Sequence, residues 1–250
     1  MKFENTEVWG FEHAIRGMRN PMNSWDKSDS GLGCDDAIHI NGLCKDCEFK
    51  NAWCGSTPSL KIGTNDLKLM QTLIRAGSEH RKFLRQIFVS VDITAPLYYF
   101  KELDTYKVGT VANSTSTMHK LASTPITLDC FEIDDFNKDL TIEQNTEWEC
   151  PQDFKANNLA LTIINKLEIL RQKYLETKDK KYWKELVRWL PESWLQTRTV
   201  TMNYENILTM YRQRKNHKLN EWSGIDNPEL PNFVGWVKTL PYANELILVE

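Results

Sequence analysis

The sequence predicts a mixed α/β protein of the α+β kind, with a central sheet flanked by helices. Three observations predict it. The stretch "IFVSVDIT" alternates, with Val89, Val91 and Ile93 on one side and Ser90, Asp92 and Thr94 on the other, which is the period of a strand. The stretch "QTRTVTMN", ending at Asn203, alternates in the same way. Around them run segments with apolar residues at helical spacing: Leu67, Met70, Leu73 and Ile74, then Leu159, Ile163, Leu167, Leu170 and Tyr174.

In chain order, "FEHAIRGMRNPMNSWDKSDSG" is polar and broken by Gly and Pro, so it reads as loop with one helical turn near Glu12 to Met18. Within it, Arg16, Arg19 and Asn20 with Asn23 and Ser24 are either an anion-binding loop or an ordinary polar one. Residues 31–60 read as a Cys-rich insertion holding Cys34, Cys44, Cys47 and Cys54. Cys44 and Cys47 have the two-residue spacing of a metal-binding pair, and Cys34 and Cys54 can complete a tetrahedral site for zinc or hold an iron–sulfur cluster. The alternative is four free thiols.

A helix follows from Thr64 or Asn65, either of which can cap it, to Gly77, which can close it in a left-handed conformation. A second short helix starts at Ser78. After the first strand, Pro96 marks a stop, and "LYYFKELDTYK" fits a helix with an aromatic face. The small polar run "VGTVANSTST" suits a loop that lets backbone approach a ligand. Residues 129–155 are strongly acidic and read as a solvated connector. A long helix runs from about Asn158 to Lys178, and "KKYWKELVRWL" forms another, stopped by Pro191. Asn203 caps "YENILTMYRQRKNH", with Ile207, Met210 and Tyr211 inside and Arg212 and Arg214 near the end. The tail "PNFVGWVKTLPYANELI" reads as a helix stopped by Pro241. There is no internal repeat, and all 250 residues read as one domain.

Hydrophobic residues make up 41% and charged residues 26%, ordinary values for a globular protein. The formal net charge of -3 gives no drive toward nucleic acid or anionic membrane. No apolar run approaches the roughly 18 residues of a membrane span. The first ten residues, "MKFENTEVWG", lack the pattern of a secretory signal, so a cytoplasmic location is expected.

Two segments carry more than composition: "LMQTLIRAG … IFVSVDITAPLYYFKELDTYKVG" and "RWLPESWLQTRTVTMNYENILTMYRQR". Their order of helix, strand, Ala-Pro, aromatic helix and polar loop, then Leu-Pro, strand, Asn-capped helix and Arg, resembles the flavin-dependent thymidylate synthases (ThyX). The resemblance covers roughly Leu67 to Thr117 and Leu186 to Glu221, and rests on pattern and spacing more than on identities. It implies a transferase that uses FAD to move a one-carbon unit from a folate onto a pyrimidine nucleotide such as dUMP, with NADPH as reductant. The cofactor carries the hard step. It also implies a homotetramer with sites built between subunits.

Carried onto this chain, the resemblance implies FAD-binding roles for Asn203, for Thr105, Tyr106 and Lys107 in place of an Arg-His-Arg, for Gln86 in place of a His, and for Asn113. It implies nucleotide-binding roles for Arg214 on phosphate, for Lys101 and Glu102 in place of an Arg-Gln pair, for Thr115 in place of a Ser, for Arg188 one position from an Arg, and for Arg19. Thr110 takes a Ser position, Ala112 stands beside Asn113 at an Asn-Glu, and Thr117 replaces an Arg. Replacing Arg-His-Arg by Thr-Tyr-Lys exchanges bidentate grips for one point charge. A catalyst and a non-catalytic nucleotide binder on the same scaffold are both compatible with these losses. His80 and His119 read as surface or hydrogen-bonded residues.

Overall fold

The computed structural model describes residues 1–34, 37–40, 43–44, 59–143 and 153–249, with the backbone alone for 34, 37–40, 43–44 and 59. In chain order the elements are β1 (Lys2–Trp9), α1 (Phe11–Arg19), β2 (Gly31–Cys34), β3 (Ala37–Ile40), β4 (Leu43–Cys44), β5 (Ser59–Lys61), α2 (Thr64–Arg75), β6 (Phe88–Pro96), α3 (Leu97–Leu103), β7 (Val111–Ser114), α4 (Thr117–Lys120), β8 (Thr141–Ile142), β9 (Phe154–Lys155), α5 (Ala156–Thr177), α6 (Lys180–Arg188), β10 (Leu195–Asn203), α7 (Tyr204–Arg214), α8 (Asn220–Ser223), α9 (Phe233–Lys238) and α10 (Ala243–Leu246).

The main sheet has the order β1-β6-β10-β7, and every pairing in it is antiparallel. The mixed class predicted from sequence is therefore realised as α+β. The two strands recognised by alternation, β6 and β10, form the centre of the sheet. Their register sets Val89 against Met202, Val91 against Val200 and Ile93 against Arg198. Because paired residues share a face, Val89, Val91, Ile93, Val200 and Met202 make one apolar face, and all are buried. Helices α1, α2, α3, α7 and α9 contribute to the same core.

The opposite face is a polar ladder. Ser90 meets Thr201 at 3.1 Å and Thr94 meets Thr197 at 2.8 Å, while Thr199 donates to Asp92 at 2.6 Å. Asn5 adds a second bond to Asp92 at 2.8 Å. These two bonds hold the Asp92 carboxyl below the usual carboxylate range.

Five local expectations are corrected. The short helix expected from Ser78 is a 3-10 helix over Lys82–Gln86, and the tail holds two helices, α9 before Pro241 and α10 after it. The first segment holds a full strand, β1, and a nine-residue helix, α1, where only one helical turn was expected. Strand β1 is an edge strand with mostly exposed residues and a register shift between Glu4 and Glu7, so its alternation is weak. Helix α2 is not capped by Thr64 or Asn65. Gly63 precedes it, and the carboxylate of Asp29 accepts the backbone N–H groups of Asn65 at 2.9 Å and Asp66 at 3.1 Å. The expected loop after α3 includes β7, which pairs with β10 through Val111 to Ser114.

A smaller cluster gathers Leu121, Ile126, Phe131, Leu167 and Leu186 beneath α5 and α6. Glu168 there accepts two bonds from Arg171, at 2.6 and 2.8 Å, and one from the backbone of Ile126 at 2.8 Å. Led by the Arg171 bonds, these bring its carboxyl down to about 2. Of the Cys-rich insertion, the described strands pair in the order β4-β3-β2-β5. Of the acidic connector, residues 144–152 lie outside the described residues. No described helix is long and apolar enough to cross a membrane.

Candidate functional site

The two motif-bearing segments meet where α3 ends, the loop to β7 begins and α7 lies against both. Helix α3 starts at Pro96, whose extended backbone turns the chain out of β6. Tyr99, Phe100 and Leu103 are its buried face. Lys101 meets Glu192 beside Pro191, Glu102 meets Arg214 on α7, and Asp104 meets Arg198 on β10.

Arg214 sits at the end of α7, where the helix dipole favours a cation. Its Nε donates to the Tyr106 hydroxyl at 2.9 Å and its Nη2 lies 2.5 Å from the Glu102 carboxylate. The guanidinium lies over the rings of Tyr106 and Trp222, 5.5 Å from each centroid. The Tyr106 hydroxyl donates in turn to Gln213 at 2.8 Å. Arg214 and Tyr106 are 108 residues apart in sequence, so this contact is the closure of the fold at that point.

Asn203 caps α7. Its side chain accepts from the backbone of Asn206 at 3.0 Å, and the Asn206 side chain accepts from the backbone of Asn203 at 3.2 Å. The Asn206 amide also donates to the Val108 carbonyl at 2.6 Å, which ties the loop to the helix start. Gly109 lies beside the cap with φ +78; a Cβ there would fall 3.0 Å from Asn203 Nδ2. Glycine meets both demands, the positive φ and the close approach. The cap itself uses the Asn203 oxygen and leaves its side-chain nitrogen at the loop.

Arg198, on the buried side of β10, was not singled out in the sequence. Its Nε donates to Gln196 at 2.9 Å, its Nη1 donates to Asp104 at 2.9 Å, and its guanidinium lies 4.1 Å over the Phe100 ring. The signal that could have found it is position: an Arg in step with Val200 and Met202 on the apolar side of a strand.

The structure places the remaining expected residues as follows. Thr105 bonds the carbonyl of Glu102 and, with Lys107, is exposed at the end of α3. Lys101 pairs with Glu192 at 2.7 Å, both exposed. Thr115 exchanges bonds with the backbone of Thr197 at the sheet edge. Asn113 pairs with Thr199, so it belongs to the polar face, opposite Arg198. Gln86 lies against α1, where a Cβ on Gly17 would come 2.4 Å from its side-chain oxygen. Arg188 pairs with Glu185 on the exposed side of α6.

Arg19 is buried, 4% exposed. Its Nε donates to Asp66 at 2.6 Å, and its terminal nitrogens donate to the carbonyls of Ser24 and Lys27, both at 3.0 Å. A cavity of about 350 Å³ beside it is lined by Arg16, Trp25, Leu32 and Leu60 among others. Among the described residues, no group of three or more His, Cys, Asp or Glu side chains is placed to hold a metal. Cys47 and Cys54 lie outside the described residues, and Cys34 and Cys44 are described in backbone only.

Beneath Arg214, Trp222 stacks on Tyr99 with centroids 4.3 Å apart. Both are fully buried, and neither the Tyr99 hydroxyl nor the Trp222 Nε1 has a partner among the described residues. Burial pushes the Tyr99 hydroxyl well above its ordinary pKa. An unpaired buried hydroxyl costs about 1–3 kcal/mol. Tyr99→Phe is therefore expected to leave the melting temperature unchanged or raise it by a few degrees. A drop on thermal melting would show that the hydroxyl has a partner.

No family model matches the chain, and no curated protein matches it. It is similar to the solved structure of ThyX, the flavin-dependent thymidylate synthase of Helicobacter pylori, complexed with FAD and dUMP. That likeness covers 99% of this chain and 98% of that one, with 14% identity and a TM-score of 0.60. It is also similar to PolB, a UMP/dUMP methylase of Streptomyces cacaoi bound with 5-Br dUMP, over 99% of this chain and 94% of that one, at 13% identity and a TM-score of 0.52. Similarity that runs the length of both chains at so low an identity is one of architecture, and this chain has the fold of the flavin-dependent thymidylate synthases.

Proposed function

We propose that this protein binds a pyrimidine nucleotide of the dUMP or UMP class together with FAD, as a diverged flavin-dependent thymidylate synthase-like protein. The observation that carries the reading is the meeting of Arg214, Tyr106 and the Asn203 cap at one place in the fold. It is supported by the FAD and dUMP of the Helicobacter pylori structure and the 5-Br dUMP of the Streptomyces cacaoi one.

The residues present suit the two ligands in distinct ways. Arg214 is the phosphate ligand: a guanidinium at a helix end, oriented by Tyr106. The side-chain nitrogen of Asn203 and the loop at Gly109 are the flavin side, because the nitrogen is left over from the cap and glycine lets the loop lie close. Tyr106 is a positioning residue for Arg214, its hydroxyl bonded on both sides. Bound flavin would supply the redox chemistry. Lys107, Thr105 and Lys101 are exposed cationic or polar groups on α3 and the loop that follows it. The expected homo-oligomer, the folate and NADPH partners, and the zinc or iron–sulfur site on the four cysteines stand as parts of this proposal.

A second reading, binding without catalysis, is favoured by one observation. Both guanidiniums at the site already hold carboxylates, Arg214 with Glu102 and Arg198 with Asp104.

The test is the visible absorption spectrum of the protein as purified and after reconstitution with FAD, followed by calorimetric titration with dUMP and UMP. Flavin absorption and nucleotide binding are the expected results, and turnover of deoxyuridine nucleotides then separates the two readings. A colourless protein that takes up neither FAD nor a pyrimidine nucleotide would sink the proposal.

A further inference from the structure

The short helix α3 delivers two carboxylates to the two partly buried arginines of the site. Glu102 lies 2.5 Å from Nη2 of Arg214, and Asp104 lies 2.9 Å from Nη1 of Arg198. The first contact is the more consequential. A guanidinium grips an oxyanion bidentately through one of two forks, the Nε and Nη2 edge or the Nη1 and Nη2 end. In this protein Nη2 faces Glu102 and Nε donates to the Tyr106 hydroxyl. The edge fork is therefore taken by groups of the chain itself, and a phosphate at the remaining Nη1 and Nη2 end would lie beside the Glu102 carboxylate.

We propose that Glu102 is a specificity-determining residue of this site: an internal counter-ion that competes with the ligand's phosphate for Arg214. The inference rests on the phosphate role of Arg214 argued above. A phosphate approaching Arg214 must either displace the carboxylate or share the guanidinium with it. Sharing brings like charges into contact, which disfavours binding. Displacement is open to Glu102, whose side chain is 38% exposed on the last turn of a seven-residue helix and can rotate into water. The consequence is a phosphate contribution about tenfold smaller than an arginine free of Glu102 would give, and a correspondingly smaller preference for nucleotide over nucleoside.

The substitutions Glu102→Gln and Glu102→Ala test it. Each removes the charge, and alanine also removes any group able to bond Nη2. Calorimetric titration is made with dUMP and, in parallel, with deoxyuridine, which lacks the phosphate, with thermal melts to confirm folding. The expected result is that dUMP binds about tenfold more tightly to both variants, the worth of one charge-assisted hydrogen bond recovered, while deoxyuridine affinity stays the same. If the wild-type protein binds dUMP and the variants bind it equally or more weakly, Glu102 only holds Arg214 in place and the inference is overturned alone. If neither wild type nor variants bind dUMP or deoxyuridine, the functional reading itself falls and takes this inference with it.

Discussion

Arg214→Ala is expected to weaken dUMP binding by about 100-fold or more, while leaving the protein folded. The magnitude follows from the kind of bond lost. Truncating one partner of a partly desolvated, hydrogen-bonded charge pair costs about 2–5 kcal/mol, and about 1.4 kcal/mol corresponds to a factor of ten. The arginine side chain is only 18% exposed and rests on two aromatic rings, so water does not replace it well. Arg214→Lys separates charge from geometry. Lysine keeps the positive charge but cannot form the fork or bond Tyr106 in the same plane, so its affinity is expected to lie between the two. Calorimetric titration of the three proteins at one salt concentration makes the comparison. Equal affinity in wild type and Arg214→Ala would remove the phosphate role from this residue, and with it the main support for nucleotide binding.

Much of the fold was legible because its central elements obey one period each. Val89, Val91 and Ile93 against Ser90, Asp92 and Thr94 reported a strand with one apolar and one polar face, and those faces are the core and the hydroxyl ladder. Asn203 was legible as a cap because a short polar side chain before an amphipathic run has few other duties, and the reciprocal bond with Asn206 fulfils it. What could not be read were arrangements that depend on a partner far away in sequence. Strand β1 is exposed on most of its length and takes its strand conformation from pairing with β6. The cap of α2 comes from Asp29, more than thirty residues earlier. In the candidate site, Arg214 and Tyr106 were legible by resemblance, but not their mutual bond. Nor was it visible that Glu102 and Asp104, two residues apart at the end of α3, would each meet a different arginine. Arg198 was missed because an arginine between threonines reads as solvent-facing until the strand's register places it beside Val200 and over Phe100.

The largest stability effect is expected from Asp66, a fully buried residue on the first turn of α2. Its carboxylate accepts from Arg19 Nε at 2.6 Å, from the hydroxyls of Ser28 at 2.7 Å and Ser30 at 2.6 Å, and from the backbone of Asp29 and Ser30 at 3.2 and 3.1 Å. Asp29 returns the bond to the start of α2, so the segment before β2 and the helix after β5 clamp each other. Asp66→Ala removes every one of these acceptors and leaves Arg19 buried without its counter-ion. Breaking a buried pair from one side costs about 3–5 kcal/mol, a large part of the roughly 5–15 kcal/mol of a whole domain. Adding Arg19→Met to Asp66→Ala is expected to restore part of the loss, because the unpaired charge goes with it. Acid should act in the same direction as the mutation. Burial by itself would raise the Asp66 carboxyl, but the bonds from Ser30, Ser28 and Arg19, with the Arg19 charge, outweigh it and hold the group below its ordinary value of 3.8. A depressed carboxyl stabilises the fold above its unfolded pKa, and that contribution is lost as pH falls through the folded value. Denaturant unfolding at neutral pH and at steps below about pH 4 should therefore show wild type losing stability that Asp66→Ala no longer has to lose. A cost under about 1 kcal/mol for Asp66→Ala at neutral pH, in the range of an exposed ion pair, would mean that Arg19 and Asp66 are not the buried pair that joins these two segments.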